Sequence, residues 1–229
     1  KFSEQGLHLA REIQHLPAEA ANYYYRAVVC QQKGEWSRVV EDCRAGLDIA
    51  KRVRDPFRVY ALTCLLGYGL FRLGEARRGI DTLQEGIRLA EQLGTKYLLA
   101  WAFSWLSDSY LVQRDFDAAL ESASRAQSLV VSGSDYYGES LAARCYGEAL
   151  CQKDASRLAE AEEHIQRAIR LQQETGMRPQ LGRSYVGYGR LLRVKGEVEK
   201  ATEFLDRART LFQELDMQWH LKRLAEVFG

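Results

Sequence analysis

The sequence predicts an all-α fold, a solenoid of antiparallel helix pairs, and three observations carry that expectation. First, small residues recur at a fixed step: Ala27, Gly67, Ser107, Gly147 and Gly189 are separated by 40, 40, 40 and 42 residues. A second series, Gly6, Gly46, Gly86, Ala126, Ala168 and Ala208, keeps steps of 40, 40, 40, 42 and 40. Second, each period splits into two helical patterns. Tyr185, Tyr188, Gly189 and Leu192 fall at helical spacing, Lys195-Gly196-Glu197 interrupts, and Ala201, Leu205, Ala208 and Leu211 resume it. Third, the interruption itself recurs, as GEWSRVV from Gly34, GEARRGI from Gly74, RDFDAAL from Arg114 and GEVEKAT from Gly196. The one break in register is two extra residues within Gln152 to Glu160, where a turn absorbs them at small entropic cost.

The elements follow in order. Phe2 to Leu16 reads as the second helix of a repeat whose first helix is not in the chain. Pro17 opens a helix to Lys33, since proline is tolerated in the first turn, and Trp36 to Arg52 returns. Asp55-Pro56 reads as a cap and a first-turn proline, opening Phe57 to Leu73, with Ala76 to Leu93 returning. Gly94-Thr95 and Gly133-Ser134-Asp135 repeat that chemistry and bracket Lys96 to Gln113 and Phe116 to Val131. Tyr136 to Gln152 pairs with Leu158 to Thr175, and Pro179 to Lys195 with Glu197 to Leu215. Met217 to Phe228 is a last single helix. The expected division is one solenoid over 1–229: a half repeat at 1–16, hairpins at 17–54, 55–94, 95–133, 134–176 and 177–215, and a terminal helix at 216–229.

The pattern Tyr185, Tyr188-Gly189, Leu192, Ala201, Leu205, Ala208, repeated as Thr63, Leu66-Gly67, Leu70, Gly79, Leu83, Gly86, resembles the tetratricopeptide (TPR) family over almost the whole chain. The resemblance implies a right-handed superhelix of five full hairpins with an N-terminal half repeat and a C-terminal capping helix. Two departures stand out: a period near 40 where the commonest TPR has 34, and no proline after the second helix. Long-period repeats of this kind look like those of MalT-like transcription activators and of bacterial proteins that join an ATPase to a nucleotide cyclase or kinase. The segment LDMQWHLKRLAE is similar to the closing segment of the latter.

Composition narrows the function classes. A net charge of +1 lacks the basic excess that general nucleic-acid or membrane-surface binding needs. No apolar run reaches the ~20 residues of a membrane span. Cys30, Cys43, Cys64, Cys145 and Cys151 lie inside helical patterns without CxxC spacing and read as buried thiols in a reducing cytoplasm, the alternative being a redox clip between Cys30 and Cys43. His8, His15, His164 and His220 show no metal-ligand spacing, and no phosphate loop or nucleophile elbow is present, so neither catalysis nor a cofactor or metal is expected. Glu162-Glu163, Glu197 and Glu199 read as solvated outer-face carboxylates.

In TPR proteins the first helix of each hairpin lines the concave face. Counting from the small residue, this resemblance places Tyr24, Tyr68, Phe71, Asp108, Arg144, Glu148, Arg190 and Arg193 there as partner-binding residues, and Arg183, about two helical turns before Arg190, joins them. The face starts aromatic and ends polar and basic, with the three last arginines on roughly one stripe. The plainer reading of the same residues is that the aromatics pack between repeats, Arg144 and Glu148 pair with each other, and the arginines form a solvated face. Asn22 is the only asparagine, which contradicts the asparagine clamps of chaperone-type and cargo-binding TPR domains. The expected role is a cytoplasmic, non-catalytic interaction and sensing region that binds a protein or peptide segment, as the C-terminal regulatory part of a larger bacterial signalling ATPase or transcription regulator. The ATPase or effector domain of the same polypeptide is one expected partner, and a second copy docked through the N-terminal seam, Gly6 to Leu16, another. A free-standing scaffold and a receptor for a small ligand or signalling peptide are the competing classes.

Overall fold

A computed structural model describes residues 2–130 and 133–228. Twelve α-helices and no strand occur among the described residues: α1 (Phe2–Glu12), α2 (Leu16–Lys33), α3 (Trp36–Arg52), α4 (Pro56–Arg72), α5 (Ala76–Gln92), α6 (Leu99–Gln113), α7 (Phe116–Leu129), α8 (Tyr136–Lys153), α9 (Leu158–Glu174), α10 (Arg178–Val194), α11 (Val198–Glu214) and α12 (Gln218–Phe228). The chain divides into two compact units between Ala102 and Phe103, inside α6.

In the first unit each helix packs on its sequence neighbour, α1 on α2 through α4 on α5, and the first helices α2 and α4 also touch. The α4–α5 pair explains the small-residue period. A Cβ on Gly67 would stand 2.8 Å from the Gly79 carbonyl, and one on Gly79 would stand 2.5 Å from the Phe71 amide nitrogen. The two backbones therefore meet with no side chain between them, which only glycine at both positions permits. In the second unit α7 to α12 pack in the same sequential way, and α8 touches α10. Arg125 of α7 lies over the Phe103 ring of α6 at 4.9 Å. The core of this unit holds Leu150, Ile165, Tyr185, Tyr188, Leu191, Leu192, Leu205 and Phe212.

The turns repeat as the sequence does. Left-handed backbone recurs within hairpins at Gly34, Gly74, Arg114 and Gly196, and between them at Gln14, Arg54, Gly94, Gly133, Gly176 and Asp216. Arg114 holds φ 63° where its counterparts are glycine; that costs an L-residue about 1–2 kcal/mol. The caps expected at Asp55 and Asp135 form: their carboxylates accept from the Arg58 and Gly138 amides at 3.0 and 2.9 Å.

Four helix boundaries and turns differ from the sequence reading or complete it. The first helix stops at Glu12 and not at Leu16, because Gln14 turns left-handed and His15 Nδ1 accepts from the Ala18 amide at 3.1 Å to cap α2. The helix expected from Lys96 begins at Leu99. Thr95 Oγ1 accepts from the Tyr97 amide at 3.2 Å and Leu98 has φ 62°, so Thr95 closes a turn ahead of the helix. The helix expected to reach Val131 runs to Leu129, and Val131 lies outside the described residues. The two extra residues near Gln152 form a 3-10 turn, Ala155–Arg157, capped by Asp154, which accepts from the Ser156 amide at 2.9 Å.

Glu162 is not the solvated carboxylate that the sequence suggests. It accepts from the Tyr188 hydroxyl at 2.7 Å and Lys195 Nζ at 2.8 Å, bridging α9 to the far end of α10. Burial pushes its pKa up, but the bonds from Lys195 and Tyr188 outweigh that and hold it below the usual carboxylate value. Lys195 also meets Glu197 at 2.7 Å, so Glu197 is likewise engaged. The five cysteines are buried free thiols, and burial is the first cause that raises the pKa of each.

Candidate functional site

The second unit brings five of the expected residues together from three first helices. Asp108 on α6 accepts both terminal nitrogens of Arg144 on α8, each at 3.2 Å, a bidentate pair that fixes the guanidinium plane. Arg144 Nη1 also reaches Glu148 one helical turn along at 2.8 Å. From α10, Arg183 Nη2 stands 3.8 Å from Asp108, and Arg190 Nη1 stands 3.8 Å from Glu148. The result is a ladder, Arg183–Asp108–Arg144–Glu148–Arg190. The seven-residue spacing of Arg183 and Arg190, two turns of α10, matches the ladder's two ends.

Most of this ladder is out of water. Asp108 is 6% exposed and Arg144 3%, whereas the side chain of Arg190 is 44% exposed. Burial alone would pull the Arg144 pKa down; the carboxylates of Asp108 and Glu148 reverse that and hold it well above its ordinary value, so the guanidinium stays charged. Cys145, beside it, donates to the Ser104 carbonyl at 3.4 Å, and burial pushes its thiol up, which makes it a packing group and not a nucleophile. Three guanidinium groups and two carboxylates make up this ladder, and its exposed end is Arg190. Arg193, one turn further, is exposed and has no carboxylate partner among the described residues.

Two supporting residues escape sequence reading. Gly187 lies against Glu148: a Cβ there would stand 2.5 Å from Oε1, so the missing side chain is what lets the carboxylate rest on α10. Gln180 accepts from Arg183 at 3.5 Å while its amide donates to the Tyr137 hydroxyl at 3.1 Å, tying the buried arginine back to α8. Gly187 is one residue from Tyr188 in a repeat whose small position is Gly189, so a second glycine so close was the available signal.

The expected residues of the first unit are placed differently. Tyr24 is 8% exposed and meets Tyr25 and Phe57 edge-on, with ring centroids 5.3 and 6.4 Å apart. Tyr68 is fully buried, edge-on to Trp36 at 5.5 Å and capped by Arg72, whose Nη2 donates to its hydroxyl at 2.7 Å. Phe71 is also buried. Tyr24 and Tyr68 meet rings of a neighbouring repeat, and all three side chains offer little surface. Asn22 is likewise occupied, donating to the Ala18 carbonyl at 2.9 Å. At the seam, Leu9 and Ile13 are exposed, together with Tyr25 and Val29.

Among the described residues no set of three or more His, Cys, Asp or Glu side chains could hold a metal ion, and no helix is long and apolar enough to cross a membrane.

These features define a TPR-like fold of consecutive helix pairs, and solved structures agree on it. RapI in its apo form is 14% identical with a TM-score of 0.71, covering 93% of this chain and 76% of RapI. PlcR of Bacillus thuringiensis, solved in complex with the peptide PapR7 and DNA, is 13% identical with a TM-score of 0.71, covering 90% and 74%. A kinesin light chain of Podosopora anserina with nearly identical TPR-like repeats is 15% identical with a TM-score of 0.56, covering 87% and 97%. No family model and no curated protein matches the sequence.

Proposed function

We propose that the chain is a non-catalytic recognition domain that binds a segment of another protein or a peptide, and that the open end of the arginine ladder, Arg190 with Arg193, receives a carboxylate of that segment. The observation that carries this reading is the burial of Asp108, Arg144 and Arg183 on the first helices. Burying charge gains nothing over well-packed apolar residues and costs several kcal/mol per ion before pairing. Here it yields one cation-rich edge, with the Arg190 guanidinium drawn to within 3.8 Å of Glu148. An arginine positioned in advance binds carboxylate with less loss of side-chain freedom than a free surface lysine. Peptide binding by a protein of the same fold supports the reading, since PlcR was solved with PapR7 bound. The resemblance to long-period regulators extends it to a regulatory role, in which a bound segment alters contacts with an effector part of the same polypeptide.

The test is fluorescence anisotropy with a labelled hexaglutamate peptide at low salt. The double variant Arg190→Glu/Arg193→Glu is expected to weaken binding by at least about tenfold, each lost charge-assisted bond being worth roughly 1.5–3 kcal/mol. Equal binding by both proteins would place the acidic segment elsewhere on the surface.

A further inference from the structure

Helix α12 stands in the register of a sixth first helix: Phe228 follows Tyr188 by 40 residues, and His220 follows Gln180 by the same step. Its anchoring is uneven. Met217, His220 and Leu224 are buried, while Ala225, Glu226 and Val227 are exposed and Phe228 is only partly covered. Tyr188, at the same position one repeat earlier, is held at its ring by Phe204 at 4.6 Å and at its hydroxyl by Glu162 and Gln166. Phe228 has no hydroxyl to hold. Its ring instead lies under two guanidinium groups, Arg193 at 4.6 Å and Arg190 at 5.7 Å.

Those two arginines form the open, cation-rich end of the ladder. An aromatic face attracts a cation only weakly where water has access, by much less than a carboxylate does at hydrogen-bond distance. We infer that Phe228 is a built-in, displaceable cover over Arg190 and Arg193, and that an acidic peptide segment binds by pushing the last turn of α12 aside. This inference rests on the reading of the arginine pair as a carboxylate site and adds to it the competing element. Phe228 packs only in part against the core around Leu192 and Phe212, and Ala225, Glu226 and Val227 are exposed, so opening this turn takes little buried surface from the rest. The occupant is chosen by charge complementarity: two guanidinium groups, one of them without a carboxylate partner, call for a segment bearing at least one carboxylate.

Hexaglutamate binding to the full chain and to Phe228→Ala separates the possibilities. Removing the ring is expected to tighten binding about threefold or more, and hydrogen exchange at the amides of residues 225–228 in the unaltered chain is expected to speed up when the peptide is added. Circular dichroism confirms that the variant is folded, and Phe228→Glu, which places a carboxylate of the chain's own beside the arginines, is expected to weaken binding. Unchanged or weaker binding by Phe228→Ala, or slower exchange on adding peptide, would show the ring to be neutral or part of the site and would overturn the inference, even if Arg190→Glu/Arg193→Glu still abolishes binding. No binding by any of the proteins would overturn the carboxylate site itself and this inference with it.

Discussion

The first helices of the two units use the same register for opposite ends. In α2 and α4 the positions around the small residue carry Tyr24, Tyr68 and Phe71, and these rings close upon their neighbours, edge-on to other aromatics and capped by Arg72. In α6, α8 and α10 the matching positions carry Asp108, Arg144, Glu148 and Arg190, and those side chains join into a ladder that ends on an exposed arginine. Backbone placement is alike in both. A ring satisfies itself by area and leaves nothing for a partner, whereas a charge must find counter-charges and, when they are one short, leaves a surface that attracts.

The largest effect is expected at Arg144. Arg144→Ala leaves Asp108 and Glu148 buried without their main partner, and about 3–5 kcal/mol of stability should be lost. A lower urea midpoint measures it; a loss under about 1 kcal/mol would mean that the ladder is solvated in solution. A smaller change is expected where aromatic packing carries the face. Tyr68→Phe keeps the ring and removes the hydroxyl that accepts from Arg72, costing about 1 kcal/mol in the same measurement. If both substitutions cost the same, the two faces do not differ in kind.

The smallest effect should come from Glu162→Gln, a bridge that is partly screened by water, at roughly 0.5–1 kcal/mol near neutral pH. Its sign with pH is fixed. The folded-state pKa of Glu162 is depressed from 4.5, so its contribution is complete above that value and fades as pH falls through the lower folded one. Urea titrations at about pH 7, 5 and 3 should therefore show the two proteins differing by a similar amount at the first two and by less at the last. A gap that widens in acid would contradict the assignment of the bonds from Lys195 and Tyr188.

Much of the site was legible because the period was. Once Gly67, Ser107, Gly147 and Gly189 are aligned, Asp108, Arg144, Glu148 and Arg190 fall at the positions lining first helices, and the structure joins them. What the alignment could not show is who pairs with whom. Arg144 and Glu148 are one turn apart, and their pairing can be read from spacing alone. Asp108 is 36 residues from Arg144 and reaches it only because α6 and α8 lie side by side. The aromatic positions were legible in place but not in state, since whether Tyr68 faces solvent depends on Trp36 and Arg72 arriving from other parts of the fold. The same holds for Glu162, which belongs to an outer face by pattern and is drawn in by Tyr188 and Lys195.

Spacing along the chain is enough to set the helix pairs. Two series of small residues and a recurrent turn leave paired helices as the arrangement that hides the apolar stripes, and this is local information, spacing within one helix and across one turn. Only the tertiary structure decided which charges are paired, which rings are closed, and that Phe228 rests on Arg190 and Arg193. Those outcomes depend on distances between residues from separate helices, and a difference of an ångström or two separates a bond from a gap.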